Sequence, residues 1–241
     1  MTTFISLSAL STSGPPEAVS VDVTAAFNFG YAARDTAGIE AHIAECAARG
    51  IPTPSTVPAL YPLTLDRVTT AGTITVAGET TYAEAEYALV LAPNGRWLIT
   101  VASDHSDALV EGASVARAKN AAPDVLASEA WWLDEIEGET DALRLTLERA
   151  DRDGSPPAQQ GTLGELLPPR TLTGLLGRRL GTPPSPGTVL LSGTINGEPP
   201  LEVARWRITL ADEARARSLV LEYSVEALPG EIGEPGGGSQ A

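Results

Sequence analysis

Several residue types that build functional sites are scarce in this sequence. Its 241 residues include one cysteine, Cys46, and two histidines, and Lys119 is the only lysine among 16 basic side chains. A lone cysteine excludes a disulfide framework within the chain, which is typical of a reducing compartment, so we expect a cytoplasmic protein. Arginine cannot always replace a compact, titratable amine, which makes Lys119 a candidate functional residue. A solvated surface lysine would be an equally simple explanation.

Clustered basic residues and long apolar runs are also missing. The formal net charge is −15, and no group of Lys and Arg forms the basic groove that a phosphodiester backbone requires. No apolar run reaches the ~18 residues of a membrane span, and residues 1–18 lack the basic stretch of a secretory signal. We therefore expect no nucleic-acid partner, no membrane partner and no transmembrane helix.

The spacing of apolar residues predicts more strands than helices. Hydrophobic residues make up 43% of the chain, which is enough for a packed core. Helices do not alternate regularly with strands, so the pattern favours an α+β fold, a β-rich mixed roll or barrel, over a doubly wound sheet. We expect a single domain over residues 1–228 and a disordered Gly/Pro-rich tail over 229–241. The predicted strands occupy 3–8, 19–28, 73–76, 82–91, 96–102, 143–147, 188–195, 201–210 and 217–226.

Four helices are predicted, and the first carries a possible acid–base pair. Asp35 can cap a helix from Thr36 to Ala48, which Gly50 ends. His42 and Glu45 stand three residues apart on it and are therefore neighbours, so the carboxylate can orient the imidazole and raise its basicity. An ordinary surface pair would show the same spacing. The other helices are predicted over 107–119, 162–167 and 171–180.

The strongest chemical signal is a pair of glutamates on a predicted strand. Glu84 and Glu86 are two residues apart, so they share one face and lie about 7 Å apart. Like charges on one face repel each other unless solvent or a cation separates them, and a hard divalent cation prefers such oxygen ligands. Taken alone, the pair is better explained by a solvated strand face.

A predicted hairpin turn at 93–95 adds further polar residues to this strand end. The return strand brings the segment Ser103-Asp104-His105-Ser106-Asp107 back beside the glutamates. A loop of two or four residues would place His105 opposite Glu84, whereas a loop with an odd number would bring Asp104 onto the glutamate face. Either register gathers carboxylates and an imidazole at one end of the hairpin, which indicates an oxygen-ligand metal site.

Short motifs occur along the chain in a consistent order over roughly residues 3–228. They are Gly30-Tyr31, Arg34-Asp35, His42-Ile43-x-Glu45, Pro52-x-Pro54, Glu84-x-Glu86, Ser103-Asp104-His105-Ser106-Asp107, Lys119, Gly161-Thr162-Leu163 and Leu191-Ser192-Gly193-Thr194. In this order the chain resembles the fumarylacetoacetate hydrolase superfamily, and most closely its branch catalogued as a domain of unknown function (DUF2848-like). The resemblance implies a mixed β-roll of the type of that superfamily's C-terminal domain and a homodimer.

The resemblance also implies roles for particular residues. It makes Glu84, Glu86 and Asp104 the ligands of Mg²⁺ or Mn²⁺. It makes His42, Glu45 and Lys119 catalytic: the first two activate a water, and the lysine binds the substrate or its enolate. It assigns substrate binding to His105, Gly193 and Thr194.

The function that follows is a metal-dependent enzyme acting on a small carboxylic acid. The expected substrate is a 1,3-dicarbonyl or 2-oxo acid that reacts through an enolate, by C–C bond hydrolysis, decarboxylation, hydration or isomerisation. The chain departs from its relatives at Ala108 and Tyr61, where they usually carry an arginine and often a lysine, and at Ile195, which replaces a proline. Two missing cations leave open a non-catalytic protein that binds a small acid on the same scaffold.

Overall fold

The computed structural model describes residues 3–12, 14–152 and 154–230. Within these ranges the chain forms fifteen strands, four α-helices and five short 3₁₀ helices. The strands are β1 (Thr3–Leu10), β2 (Glu17–Val23), β3 (Ala25–Gly30), β4 (Ala59–Leu63), β5 (Val68–Thr69), β6 (Thr73–Val76), β7 (Thr81–Leu91), β8 (Trp97–Asp107), β9 (Asp124–Leu126), β10 (Glu129–Trp132), β11 (Arg144–Arg149), β12 (Gln159–Thr162), β13 (Thr188–Leu191), β14 (Arg205–Asp212) and β15 (Arg217–Ala227). The α-helices are α1 (Thr36–Ala48), α2 (Ala108–Ala113), α3 (Val115–Ala118) and α4 (Pro169–Leu180). The 3₁₀ helices are Leu65–Arg67, Leu133–Glu135, Glu137–Ala142, Leu163–Glu165 and Glu213–Arg215.

Two mixed sheets account for all of these strands. The larger has ten strands, eight of them in the order β2-β1-β10-β8-β7-β13-β3-β4, with β9 and β5 added beside β8. The smaller has five strands in the order β12-β11-β14-β15-β6. The larger sheet curls into a half-barrel, and few helices accompany it, so the expected β-rich α+β roll is confirmed.

The central strands β7, β8 and β13 of the larger sheet are buried on both faces, and each face belongs to a different core. Alternate residues of β7 divide between them: Tyr87 and Leu89 pack with residues of the smaller sheet, whereas Ala88 and Val90 pack inside the curl. A strand that is covered on both sides reads as a near-continuous apolar run. Glu84 and Glu86 share the parity of Ala88 and Val90, so they point into the curl and not into solvent.

The turn between β7 and β8 decides which residues face these glutamates. Ala92 pairs with Arg96, so the loop is the three residues 93–95, and Gly95 has a φ of 81°. A three-residue loop that ends in the left-handed region is a common hairpin connection. It gives the register Glu84↔Asp104 and Glu86↔Ala102, which is the odd-loop alternative. The alternative that placed His105 opposite Glu84 is therefore wrong.

Some predicted elements need correction. β8 continues to Asp107, five residues beyond its predicted end, because β7 pairs with it as far as Thr81↔Asp107. The helix predicted over 107–119 is two short helices, α2 and α3, separated at Ser114, whose φ of −168° is extended. Strands β4, β5, β9, β10 and β12 have no counterpart among the predicted strands. By contrast, α1 has the predicted bounds, and Asp35 caps it through the amide of Gly38.

The predicted tail over 229–241 lies outside the described residues except for positions 229 and 230. The single domain over residues 1–228 stays a prediction. None of the helices in the described ranges is long and apolar enough to span a membrane.

Candidate metal centre

Three carboxylates converge at the end of the β7–β8 hairpin. Glu84, Glu86 and Asp104 each offer one oxygen, and these oxygens all lie within 4.8 Å of one another. Glu86 and Asp104 are fully buried, while the side chain of Glu84 keeps 16% of its exposure. Solvent therefore reaches the cluster from the Glu84 side. The three predicted ligands are brought together as the sequence indicated.

Backbone and amide donors from the neighbouring strands hold these acids in place. Asn28 on β3 donates from Nδ2 to Asp104 Oδ2 at 3.1 Å and makes a longer contact of 3.5 Å with Glu86 Oε1. The amide of Gly193, just after β13, donates to Glu86 Oε2 at 2.9 Å. Each carboxyl oxygen of Glu86 therefore meets a donor from a different segment, and the two contacts fix its orientation.

The loop after β13 is shaped to deliver that amide. Gly193 has a φ of 83°, and a Cβ atom there would lie 2.7 Å from the carbonyl oxygen of Phe29, so the position requires glycine. Thr194 donates to the carbonyl of Ala85 at 3.0 Å and accepts from Gln159 Nε2 at 3.0 Å. Gly193 and Thr194 therefore lie beside the cluster, but their polar groups bind the protein itself.

Lys119 places its ammonium among the acids. It ends α3, and its Nζ contacts Asp104 Oδ2 and lies 3.2 Å from Glu84 Oε2. The following residue, Asn120, donates to the carbonyl of Pro62 and accepts from the amide of Thr64, which ties this turn to the end of β4. The single lysine is thus a buried partner of two predicted ligands and not a solvated surface residue.

Burial dominates the electrostatics of the cluster. It raises the pKa of Glu84 to about 7 against the opposing charge of Lys119, and it raises the pKa of Glu86 well above its usual range. Burial alone would lower the pKa of Lys119, but Asp104 and Glu84 raise it well above its usual value. The cluster carries more negative than positive groups, so a further cation would be electrostatically favourable.

Asp124 is a fourth acid that the sequence did not single out. It begins β9, and its strand neighbour Leu126 pairs with Ala102, so Asp124 shares the face of Asp104. Its carboxyl is fully buried, and neither oxygen has a hydrogen-bond partner among the described residues. Burial, then the charges of Asp104 and Glu86, raise its pKa well above the usual range. An acid directly before a short apolar strand was the only local signal.

The donor set fits a hard divalent cation. Carboxylate oxygens are the ligands that Mg²⁺, Mn²⁺ and Ca²⁺ prefer, and oxygens on opposite sides of an ion with bonds of about 2.3–2.6 Å lie up to ~5 Å apart. Asp104 Oδ1 is buried without a partner among the described residues, so it is free to bind an ion. Such an ion would share the acids with the Lys119 ammonium.

His105 lies on the opposite face of β8, away from the carboxylates. Thr81 donates to the carbonyl of Ser106 and therefore accepts from His105 Nε2 at 2.6 Å, while Tyr223 lies 2.9 Å from Nδ1. This arrangement uses both ring nitrogens of a neutral imidazole. Burial lowers the pKa of His105 to about 4. The imidazole joins the two sheets, so the predicted gathering of an imidazole with the carboxylates is wrong.

His42 and Glu45 are both exposed on α1. His42 Nε2 lies 3.7 Å from the thiol of Cys46, and its ring stands 5.9 Å from that of Tyr31. Glu45 instead lies 3.9 Å from Arg49. No hydrogen bond joins His42 to Glu45 in the described part of the chain, so the expected side-chain pair is absent from this conformation.

One protein family and several solved structures are similar to this chain. The family model described as "Protein of unknown function (DUF2848)" matches residues 29–223. No curated protein matches the sequence. A solved 2-keto-3-deoxy-D-arabinonate dehydratase, complexed with magnesium and 2,5-dioxopentanoate, is 17% identical with a TM-score of 0.61, over 89% of this chain and 77% of that chain. A 4-oxalocrotonate decarboxylase from Pseudomonas putida G7, complexed with calcium and acetate, is 14% identical with a TM-score of 0.52, over 84% and 77%.

These similarities define the class of the protein. Both solved structures are members of the fumarylacetoacetate hydrolase superfamily, and at these identities they show a shared fold. The family model covers well over half of the chain, and the chain belongs to that DUF2848 family. The predicted membership of the DUF2848 branch is confirmed.

Proposed function

We propose that this protein is a divalent-metal-dependent lyase or hydrolase that converts a small 2-oxo or 1,3-dicarbonyl acid through its enolate. One observation carries the proposal: inside a curled sheet, the buried acids Glu86 and Asp104 and the partly exposed Glu84 offer oxygens within 4.8 Å of one another. The similarity to a dehydratase complexed with magnesium and to a decarboxylase complexed with calcium supports the same class of chemistry.

Glu84, Glu86 and Asp104 would hold the ion, with Mg²⁺ or Mn²⁺ as the proposed cofactor. A bound dication would act as a Lewis acid toward the oxygens of the substrate. Within the chain, Asn28 and the amide of Gly193 orient the ligands.

The Lys119 ammonium, whose Nζ lies 3.2 Å from Glu84 Oε2, would donate a hydrogen bond to an oxygen that gains negative charge beside the acids. Buried donors that are already aligned need no reorganisation during the reaction.

The base that removes the substrate's proton is the least constrained part of the proposal. We keep His42 with Glu45 as the candidate pair, because a histidine is suited to proton transfer near neutral pH. In the structure the pair is open, so this role requires a rearrangement of the two side chains. We assign no substrate contact to His105, whose ring nitrogens both face protein partners. The proposed roles of Gly193 and Thr194 are to position Glu86 and the end of β7.

Hydrogen exchange at carbon tests this function whichever product the enolate finally gives. Enolisation of 2-oxobutyrate in D₂O replaces its C3 hydrogens, and proton NMR follows their loss. We expect exchange that requires Mg²⁺ or Mn²⁺, falls at least ~100-fold in Glu86→Gln, and is unchanged in Glu17→Gln, whose carboxylate is exposed on β2. The same series with His42→Gln tests the base.

We keep a second candidate function because the proposed catalytic pair, His42 and Glu45, is not formed in the structure. Metal-dependent binding of 2-oxo acids without exchange or turnover would favour a non-catalytic small-acid-binding protein. The homodimer implied by the family resemblance is also a proposal, which sedimentation equilibrium of the full chain would test.

A further inference from the structure

The open side of the metal centre is lined by aromatic residues. Tyr61 lies opposite Asn28 in the β3–β4 ladder, so the two side chains share a face, and Asn28 binds the ligand Asp104. The Tyr61 ring lies across Gly30, where an added Cβ atom would stand 2.9 Å from Cε2. Tyr61 is half-buried and therefore forms part of the entrance wall.

Tyr82 and Glu111 form a second part of the same wall. Tyr82 is two residues before Glu84 on β7, so both side chains point to the side from which solvent reaches the cluster. The Tyr82 hydroxyl donates to Glu111 Oε2, which fixes a carboxylate of α2 beside the entrance. Glu111 is only partly buried, and its other oxygen Oε1 has no hydrogen-bond partner among the described residues.

The charges at this entrance are negative or neutral. Lys119 is the cation that acts on both Tyr61 and Tyr82, and it is already bound by Glu84 and Asp104. With a dication bound, the three ligand carboxylates and the Lys119 ammonium would together carry no net charge. The head of an acidic ligand would be held by the ion, but its tail would lie among the phenols and the Glu111 carboxylate.

Building on the proposed function, we infer that the centre selects 2-oxo acids with one carboxylate and an uncharged tail. In this inference Glu111, held by Tyr82, is the specificity-determining residue that turns away a second carboxylate. A charged tail would approach Glu111 at low effective dielectric, where like charges repel more strongly than in water. An uncharged tail would instead pack against the rings of Tyr61 and Tyr82.

Three ligands that differ in one feature test the inference with the full chain. Oxalate presents only the chelating head, 2-oxopentanoate adds an uncharged tail, and 2-oxoglutarate has the same carbon chain with a terminal carboxylate. Dissociation constants are measured by thermal shift with saturating Mg²⁺ and again with EDTA. We expect all binding to depend on Mg²⁺, and 2-oxoglutarate to bind at least about tenfold more weakly than 2-oxopentanoate.

The variant Glu111→Gln removes the charge and keeps an acceptor for the Tyr82 hydroxyl. It should tighten 2-oxoglutarate by about tenfold and leave 2-oxopentanoate within about twofold. The control Glu17→Gln, which removes a distant exposed charge, should leave the ratio of the two affinities unchanged. Equal affinities in the unaltered protein, or an unchanged ratio in Glu111→Gln, would overturn the inference alone. If even oxalate shows no Mg²⁺-dependent binding, the proposed metal-dependent function is refuted, and this inference is refuted with it.

Discussion

Replacing Lys119 by methionine removes the only positive charge that contacts the acid cluster in the described part of the chain. Methionine keeps a similar length, so the change is mainly electrostatic. The side chain of Lys119 is 8% exposed and that of Asp104 is 1% exposed, so water screens their interaction little. Removal of one partner from a buried ion pair typically costs about 3–5 kcal/mol, because the other charge stays buried. For a chain of this length that corresponds to a fall in Tm of roughly 6–20 °C.

The loss of stability caused by Lys119→Met, called the deficit below, should depend on pH in a defined direction. The folded-state pKa of Glu84 is about 7, above the ordinary value of 4.5, so its contribution to stability is present below pH 4.5 and is lost as the pH rises through 7. Lys119 lowers the pKa values of Glu84 and Glu86, so its removal raises them further. We therefore expect a larger deficit at pH 8 than at pH 5.

Urea unfolding in EDTA at both pH values measures this deficit, and a repeat with Mn²⁺ tests whether a cation replaces the ammonium. Arg117→Met is the matched control, because Arg117 is an exposed base two residues away on α3, and surface substitutions usually stay within ~0.5 kcal/mol. We expect Mn²⁺ to recover much of the stability of Lys119→Met. A deficit no larger than that of the control at pH 8 would refute this account of the cluster.

Two further predictions concern the residues that frame the centre. The folded pKa of His105 is about 4 against an ordinary 6.5, so the unfolded chain binds more protons between these values and stability should rise with pH across that window, by up to about 1.4 kcal/mol per unit. His105→Asn should flatten this slope in urea unfolding at pH 4.5, 5.5 and 6.5, and parallel slopes would contradict the assignment. Gly193→Ala should cost about 1–3 kcal/mol because of its positive φ and the Phe29 carbonyl. In the control Gly78→Ala the added Cβ atom has no neighbour within 4 Å. Equal stabilities of the two variants would contradict the claim that a side chain at position 193 is strained.

The ligand residues were predictable because their signals are local. A Glu-x-Glu on one strand and an Asp just beyond the predicted return strand share a face when the turn between the strands has an odd number of residues. The sequence left the register open, and the left-handed Gly95 in a three-residue loop decided it. The signals that predict helix α1 are also local, because Asp35 caps its start and Gly50 follows its end.

The remaining parts of the site depend on contacts between distant segments. Asn28 reaches the acids only because β13 pairs β3 with β7, and no feature near Asn28 indicates this. His105 reads as a site residue because it follows Asp104, yet strand alternation sends its ring to the other face, where Tyr223 of the smaller sheet binds it. Asp124 lies in β9, a short strand that forms by pairing with β8. Its burial therefore depends on a tertiary contact and not on its local sequence.

Diffraction from crystals grown with Mn²⁺ tests the central claim most directly, because the anomalous signal locates the ion without reference to activity. We predict one peak within about 2.0–2.6 Å of an oxygen from each of Glu84, Glu86 and Asp104, and no peak there in Glu86→Gln crystals. An ion bound elsewhere, or density at this position that only the Lys119 ammonium explains, would contradict the existence of a metal centre.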